Sequence, residues 1–197
     1  MIDAQLCART RRLARELAAG LETRQLKIVL AESCTAGLAA ALLAQTPGIS
    51  RFLVGSMVTY QENAKERWLG IDPGLIRRFT AVSAPVTQAM ARNVLNQTEE
   101  ADFAVAITGH LQHEAAPDGC HALVAVACRQ AGRAECRAAI GYRLRAAGRT
   151  NRQWEAARAV LDVALAHLHF PPPGKPGGVD WLRICGGPVH FNWNHWH

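Results

Sequence analysis

The residues best placed to do chemistry in this chain form one short run, Ala31-Glu32-Ser33-Cys34-Thr35-Ala36-Gly37. A carboxylate, a hydroxyl, a thiol, a second hydroxyl and a glycine lie there between a segment that reads as a strand and one that reads as a helix. Leu26 to Ala31 is short, mostly apolar and β-branched in its middle, as a strand buried on both faces should be. Leu38 to Ala44 holds only leucine and alanine, unbranched helix formers. A turn of small residues at that junction leaves backbone N–H groups free at a helix start, where they can hold an anion or an oxyanion developing during acyl transfer. The same residues admit a plainer reading, with Ser33 or Thr35 as an ordinary helix cap.

The elements that position this turn follow from periodicity. Leu6, Leu13, Leu17 and Leu21 recur at helical spacing among arginines, predicting an amphipathic helix over Asp3 to Leu21 with Gly20 near its end. The helix after the turn should stop at Thr46-Pro47-Gly48. A second strand is expected at Phe52 to Tyr60, then a short helix from Glu62 to Leu69 closed by Gly70. Asp72-Pro73-Gly74 reads as the cap and first turn of another helix, and Ser83 as the cap of one ending at Asn96. Phe103 to Thr108 reads as a third buried strand, followed by a loop from Gly109 to Gly119. His121 to Cys128 and Glu135 to Leu144 read as a hairpin turning at Gly132, and Asn151 to His169 as a closing helix built on Trp154, Val160, Leu161, Leu165 and Leu168. The fold class is α/β, a layered α/β/α domain over residues 1–170 with a mixed, mostly parallel sheet. From Pro171 the run Pro-Pro-Pro-Gly-Lys-Pro-Gly-Gly marks a linker and a tryptophan- and histidine-containing tail over 171–197.

Composition narrows the class of function. Half the 197 residues are hydrophobic, enough for a sizeable core, yet no apolar run reaches the length of a membrane span and the N-terminus lacks the apolar block of a secretory signal. The expectation is a cytoplasmic protein with no membrane partner. Cys7, Cys34, Cys120, Cys128, Cys136 and Cys185 make no C-x-x-C pair and read as reduced, mostly buried thiols. His190, His195 and His197 with Cys185 fit no standard zinc spacing, so no metal is expected. The net charge of +6 is spread over scattered arginines with acids interleaved and no aromatic block beside them. That distribution argues against nucleic acid and suits a solvated surface or a pocket for a small phosphorylated ligand.

Five motifs then occur in order: Ala-Glu-Ser-Cys-Thr-Ala-Gly at 31–37, Val-Thr-Tyr-Gln-Glu-Asn-Ala-Lys at 58–65, Leu-Gly at 69–70, Ala-Val-Ser at 81–83 and Ala-Val-Ala-Ile-Thr-Gly at 104–109. Together they resemble the CinA C-terminal domain family, which includes the competence/damage-inducible proteins and the nicotinamide-nucleotide amidohydrolases of NAD salvage; the resemblance runs from Leu6 to Leu168 and marks a divergent member. It implies hydrolysis of the carboxamide of nicotinamide mononucleotide to the nicotinate nucleotide and ammonia, without metal or other cofactor. Ser33 matches the family's nucleophile, Lys65 its base and Tyr60 the tyrosine that works with them. Glu32, Cys34, Thr35, Gly37, Thr108, Gly109 and Arg149 match positions around the substrate, with Arg152 the rival of Arg149 for the phosphate. Taken alone, Lys65 between Glu62 and Glu66 reads as a solvated lysine, and Tyr60 as a half-buried packing residue. A serine needs a base, and lysine can be one only if burial or cationic neighbours depress its pKa.

The departures from the family pattern concern the substrate. Where active members carry a glycine-rich Ile-Ala-Gly-Pro-x-Gly-Gly segment, this chain reads Gly109-His110-Leu111-Gln112-His113 and on to Cys120, shorter and without those glycines. His110, His113 and His121 could take over contacts to phosphate or amide, or be plain loop histidines. Ala36 replaces a family glycine, and Ala147-Gly148-Arg149 stands where the family has Gly-Asp-Arg. Two expectations follow: an amidohydrolase acting on a pyridine nucleotide, or a non-catalytic member that binds a nucleotide or a protein partner. The resemblance also suggests a homodimer or larger, for which the first helix could supply a face, although core packing accounts for its leucines equally well.

Overall fold

The computed structural model describes residues 2–112, 119–130 and 132–169. His113, Cys185 and the tail histidines lie outside these residues.

Helix α1 (Ala4–Arg24) begins where the Asp3 carboxylate accepts from the backbone N–H groups of Gln5 and Leu6. It runs past Gly20, where a Cβ would come within 2.9 Å of Leu168, so glycine here admits close approach of the last helix. Strand β1 (Ile28–Glu32), helix α2 (Leu38–Ala44) and strand β2 (Leu53–Val58) follow. Helix α3 (Glu62–Leu69) closes on Gly70 at φ 64°. Asp72 accepts from the Gly74 N–H to start α4 (Pro73–Phe79), and Ser83 accepts from the Val86 N–H to start α5 (Ala84–Asn96). Strands β3 (Phe103–His110), β4 (His121–Gln130) and β5 (Arg133–Arg143) lead to α6 (Arg149–His169).

The strands form one sheet in the order β2-β1-β3-β4-β5. β1 pairs in parallel with β2 and β3, while β4 runs against both β3 and β5, so β4 is the strand of opposite sense in a mixed, mostly parallel sheet. Alternate strand residues serve opposite faces. Ile28, Leu30, Val105 and Ile107 pack with α1, α2 and α6, whereas Val29, Ala31, Ala104 and Ala106 pack with α3, α4 and α5. The result is the three-layer α/β/α arrangement expected. The chain leaves β1 through a helix on one face and β2 through helices on the other, a reversal that opens a crevice at the carboxyl ends of the strands.

Several element ends differ from the sequence expectation by a few residues, and two of them bear on the site. β3 continues through Gly109 and His110, because Gly109 pairs with Ala122 and His110 with His121 across the β3–β4 ladder. His110 is thus a half-buried strand residue and not a loop residue, and its ring meets edge to face at 5.3 Å that of His121, which starts β4 as the sequence predicts. α6 starts at Arg149, two residues ahead of Asn151.

Candidate active site

Strand β1 ends at Glu32, and the next residues fold into a tight turn: the Ala36 N–H donates to the Ser33 carbonyl and the Leu38 N–H to the Thr35 carbonyl. Ala36 and Gly37 both take positive φ, 52° and 90°, a conformation strained for alanine and free for glycine. The turn is tied to β3 by the Ser33 N–H, which donates to the Ile107 carbonyl. The N–H groups of Cys34 and Thr35 meet no backbone acceptor among the described residues.

Neither Ser33 nor Thr35 caps α2. The cap position falls two residues after Thr35, at Gly37, which has no side chain to cap with. Its first N–H groups are met by Glu32, whose buried carboxylate accepts from the Ala39 and Ala40 N–H groups at 3.1 and 3.0 Å and from Ser56 Oγ at 3.0 Å. A carboxylate at a helix N-terminus is favoured by the dipole and by the unpaired N–H groups together. Glu32 therefore holds the turn in shape and leaves the Ser33 hydroxyl uncommitted to capping.

Helix α3 carries Lys65, of which 1% is exposed. Its Nζ donates to Ser33 Oγ at 3.0 Å, to the Thr59 carbonyl at 2.7 Å and to the Tyr60 carbonyl at 3.3 Å. Burial pushes the Lys65 pKa down from 10.5 to about 8, against the opposing pull of Cys34 and Glu62. Near neutrality a useful fraction of Lys65 is then the free amine, able to accept the Ser33 proton. Burial has the opposite consequence for the neighbouring thiol: Cys34 is raised to about 12 and stays protonated, so of the two adjacent candidates the hydroxyl is the one with a base.

Tyr60 is half exposed, and its hydroxyl accepts from Arg149 Nη2 at 2.6 Å, bringing together two predicted residues 89 positions apart. Arg152 instead donates to the Leu111 carbonyl at 3.0 Å. Thr108 is buried on β3 and bonded at 2.7 Å to Thr87 of α5, whose own hydroxyl donates to the Ser83 carbonyl, so Thr108 is the donor between them. At Gly109 a Cβ would meet the His121 carbonyl at 2.7 Å and Cys34 Sγ at 3.0 Å. Glycine there lets β4 and the nucleophile turn close on each other.

Three contributors escaped the sequence reading. Ser56 completes the Glu32 cradle, Thr87 holds Thr108, and Gln153 of α6 donates through Nε2 to the Thr35 carbonyl at 2.9 Å. None sits in a motif, and the contacts span 24, 21 and 118 positions. The hydroxyls of Thr35 and Thr59, which flank the Ser33–Lys65 pair, are buried without a partner among the described residues. No group of three His, Cys, Asp or Glu side chains able to hold a metal occurs among the described residues, and no helix there is long and apolar enough to cross a membrane.

The family model of the CinA C-terminal domain matches residues 10–168. A CinA-like protein of Mycobacterium tuberculosis is 52% identical over 94 residues, which make up 48% of this chain and 21% of the relative. One from Mycobacterium marinum is 54% identical over 83 residues, covering 42% of this chain and 19% of the relative. This chain thus aligns with about a fifth of these curated relatives' length. Among solved structures, the competence damage-inducible protein A of Klebsiella pneumoniae superposes with a TM-score of 0.72 at 26% identity, over 83% of this chain and 99% of that one. The competence/damage inducible protein of Agrobacterium tumefaciens gives 0.71 at 27% identity, over 86% and 98%.

Proposed function

The chain belongs to the CinA C-terminal domain family, and from that premise we propose that it is a serine amidohydrolase acting on the carboxamide of a pyridine nucleotide, nicotinamide mononucleotide being the first candidate. The observation that carries this reading is the 3.0 Å contact between Lys65 Nζ and Ser33 Oγ, with the lysine buried and its pKa near 8. Lys65 in its amine form takes the Ser33 proton as Oγ adds to the amide carbon. The oxyanion then lies at the N–H groups of Cys34 and Thr35, and Lys65 returns the proton to the departing ammonia. Water hydrolyses the resulting ester by the same relay and releases the carboxylate. Arg149, aimed at the Tyr60 hydroxyl, supplies the charge for the nucleotide phosphate.

The test is ammonia release from nicotinamide mononucleotide by the whole chain. Ser33→Ala should lower the rate by at least about 10³-fold while leaving the melting temperature within a few degrees. Absence of turnover by the unmodified protein would remove the reading. A second reading, nucleotide or partner binding without hydrolysis, is favoured by one feature, the replacement of the family's glycine-rich segment after Gly109. It expects stabilisation by the nucleotide with no ammonia formed.

A further inference from the structure

A cleft of about 430 Å³, within the range of small-molecule sites, lies along the end of β2 and the outer face of α3, and reaches the Ser33–Lys65 pair through Tyr60, whose carbonyl accepts from Lys65. Its floor is the stretch that holds the base: Tyr60, whose carbonyl receives Lys65, begins it, and Gln61, Asn63, Arg67 and Trp68 continue it along the helix. The lining departs from what an ordinary helix surface offers. Trp68 is 60% exposed although Lys65 and Leu69 on the same helix are buried, and no ring or cation stacks on it among the described residues. Arg67 makes no ion pair among the described residues. Tyr60, also in the lining, presents a second aromatic ring, whose hydroxyl accepts from Arg149 at 2.6 Å. The two flat rings, the Arg67 guanidinium and the amides of Gln61 and Asn63 in the lining, with Arg149 at the Tyr60 hydroxyl, are the donor set for a planar base bearing phosphate, which stacks on aromatics and pairs with arginine.

Resting on the reading of Ser33 as an amide nucleophile, we infer that this cleft is a subsite for a second nucleotide unit, so that the preferred substrate is a pyridine dinucleotide rather than a mononucleotide. The carboxamide-bearing ring meets Ser33, the phosphates pass Arg149 at the Tyr60 rim, and the second base lies against Trp68 with Arg67 beside it. The hold on the nucleotide that a glycine-rich segment after Gly109 would give comes here from the α3 side of the site.

Two measurements on the full chain test this. Adenosine monophosphate, titrated calorimetrically, should bind, and Trp68→Ala and Arg67→Ala should each weaken it about tenfold or more. In steady-state assays the ratio of kcat/KM for nicotinamide adenine dinucleotide over nicotinamide mononucleotide should exceed one and fall about tenfold in the same variants. No adenylate binding, binding indifferent to both substitutions, or an unchanged substrate ratio overturns the subsite. Adenylate binding that depends on Trp68, with neither nucleotide hydrolysed, sustains the nucleotide site while overturning its role in substrate choice and, separately, the amidohydrolase reading.

Discussion

The wall of the site built from β1, β2 and α3 is held by buried polar contacts, whereas the wall facing it, from the β3–β4 end and α6, rests more on exposed side chains. On the first wall Glu32 satisfies two backbone N–H groups and a hydroxyl, and Lys65 satisfies two carbonyls and Ser33 Oγ. On the second, Arg149 reaches Tyr60 through an exposed contact, and the half-buried His110 and His121 of β3 and β4 meet edge to face. The difference separates two tasks. Holding a serine against a base, the roles proposed for Ser33 and Lys65, demands fixed geometry in a desolvated setting, which buried hydrogen bonds supply. Holding a ligand, as proposed for Arg149, tolerates more exposed contacts.

The sharpest way to break the contrast is Lys65→Met, which removes the base and fills its volume with an apolar chain. It should cost kcat at least about 10³-fold in the ammonia assay. A loss below tenfold would mean that Ser33 has another base. Next in size is Glu32→Ala, which strands the Ala39 and Ala40 N–H groups and the Ser56 hydroxyl in a buried setting. It should lower unfolding free energy by roughly 3 kcal/mol in denaturant titration, and Glu32→Gln, which keeps an acceptor, by less.

The pH dependence is smaller and has a determined sign. Since the reactive form of Lys65 is the amine, kcat should rise about tenfold per unit below pH 8 and level off above it. Stability follows the same group. With a pKa near 8 folded and 10.5 in the reference state, the native protein binds fewer protons than the unfolded chain between those values. Wild-type stability should therefore climb across that window relative to Lys65→Met, measured as the difference between their denaturant midpoints at pH 7 and pH 10. The smallest effect belongs to the exposed wall: Tyr60→Phe, which deletes the acceptor of Arg149, should raise KM less than about tenfold and leave the melting temperature unmoved.

Local chemistry made much of the fold legible before any coordinates. The bounds of α3 and α5 follow from Gly70 and from Ser83 ahead of Pro85, where the stop and start signals are themselves the structural cause. The turn at Ser33 was legible as a place for chemistry, but its construction was not. A cap for α2 was expected from Ser33 or Thr35, yet Glu32, a residue of the preceding strand, reaches forward to supply it. The same limit hid Gln153 and the extension of β3 through His110, since each depends on a partner brought near only by the completed sheet and its covering helix.

The bond from Gln153 to the Thr35 carbonyl has a consequence in time as well as in space. Made on a ribosome, residues 31–37 emerge before β3, and the Ser33 N–H must wait for that strand to find the Ile107 carbonyl. The positive-φ turn gains its tie to α6 only after more than a hundred further residues have been added and that helix has docked. The nascent chain thus carries Ser33 long before the helix that ties its turn has been made.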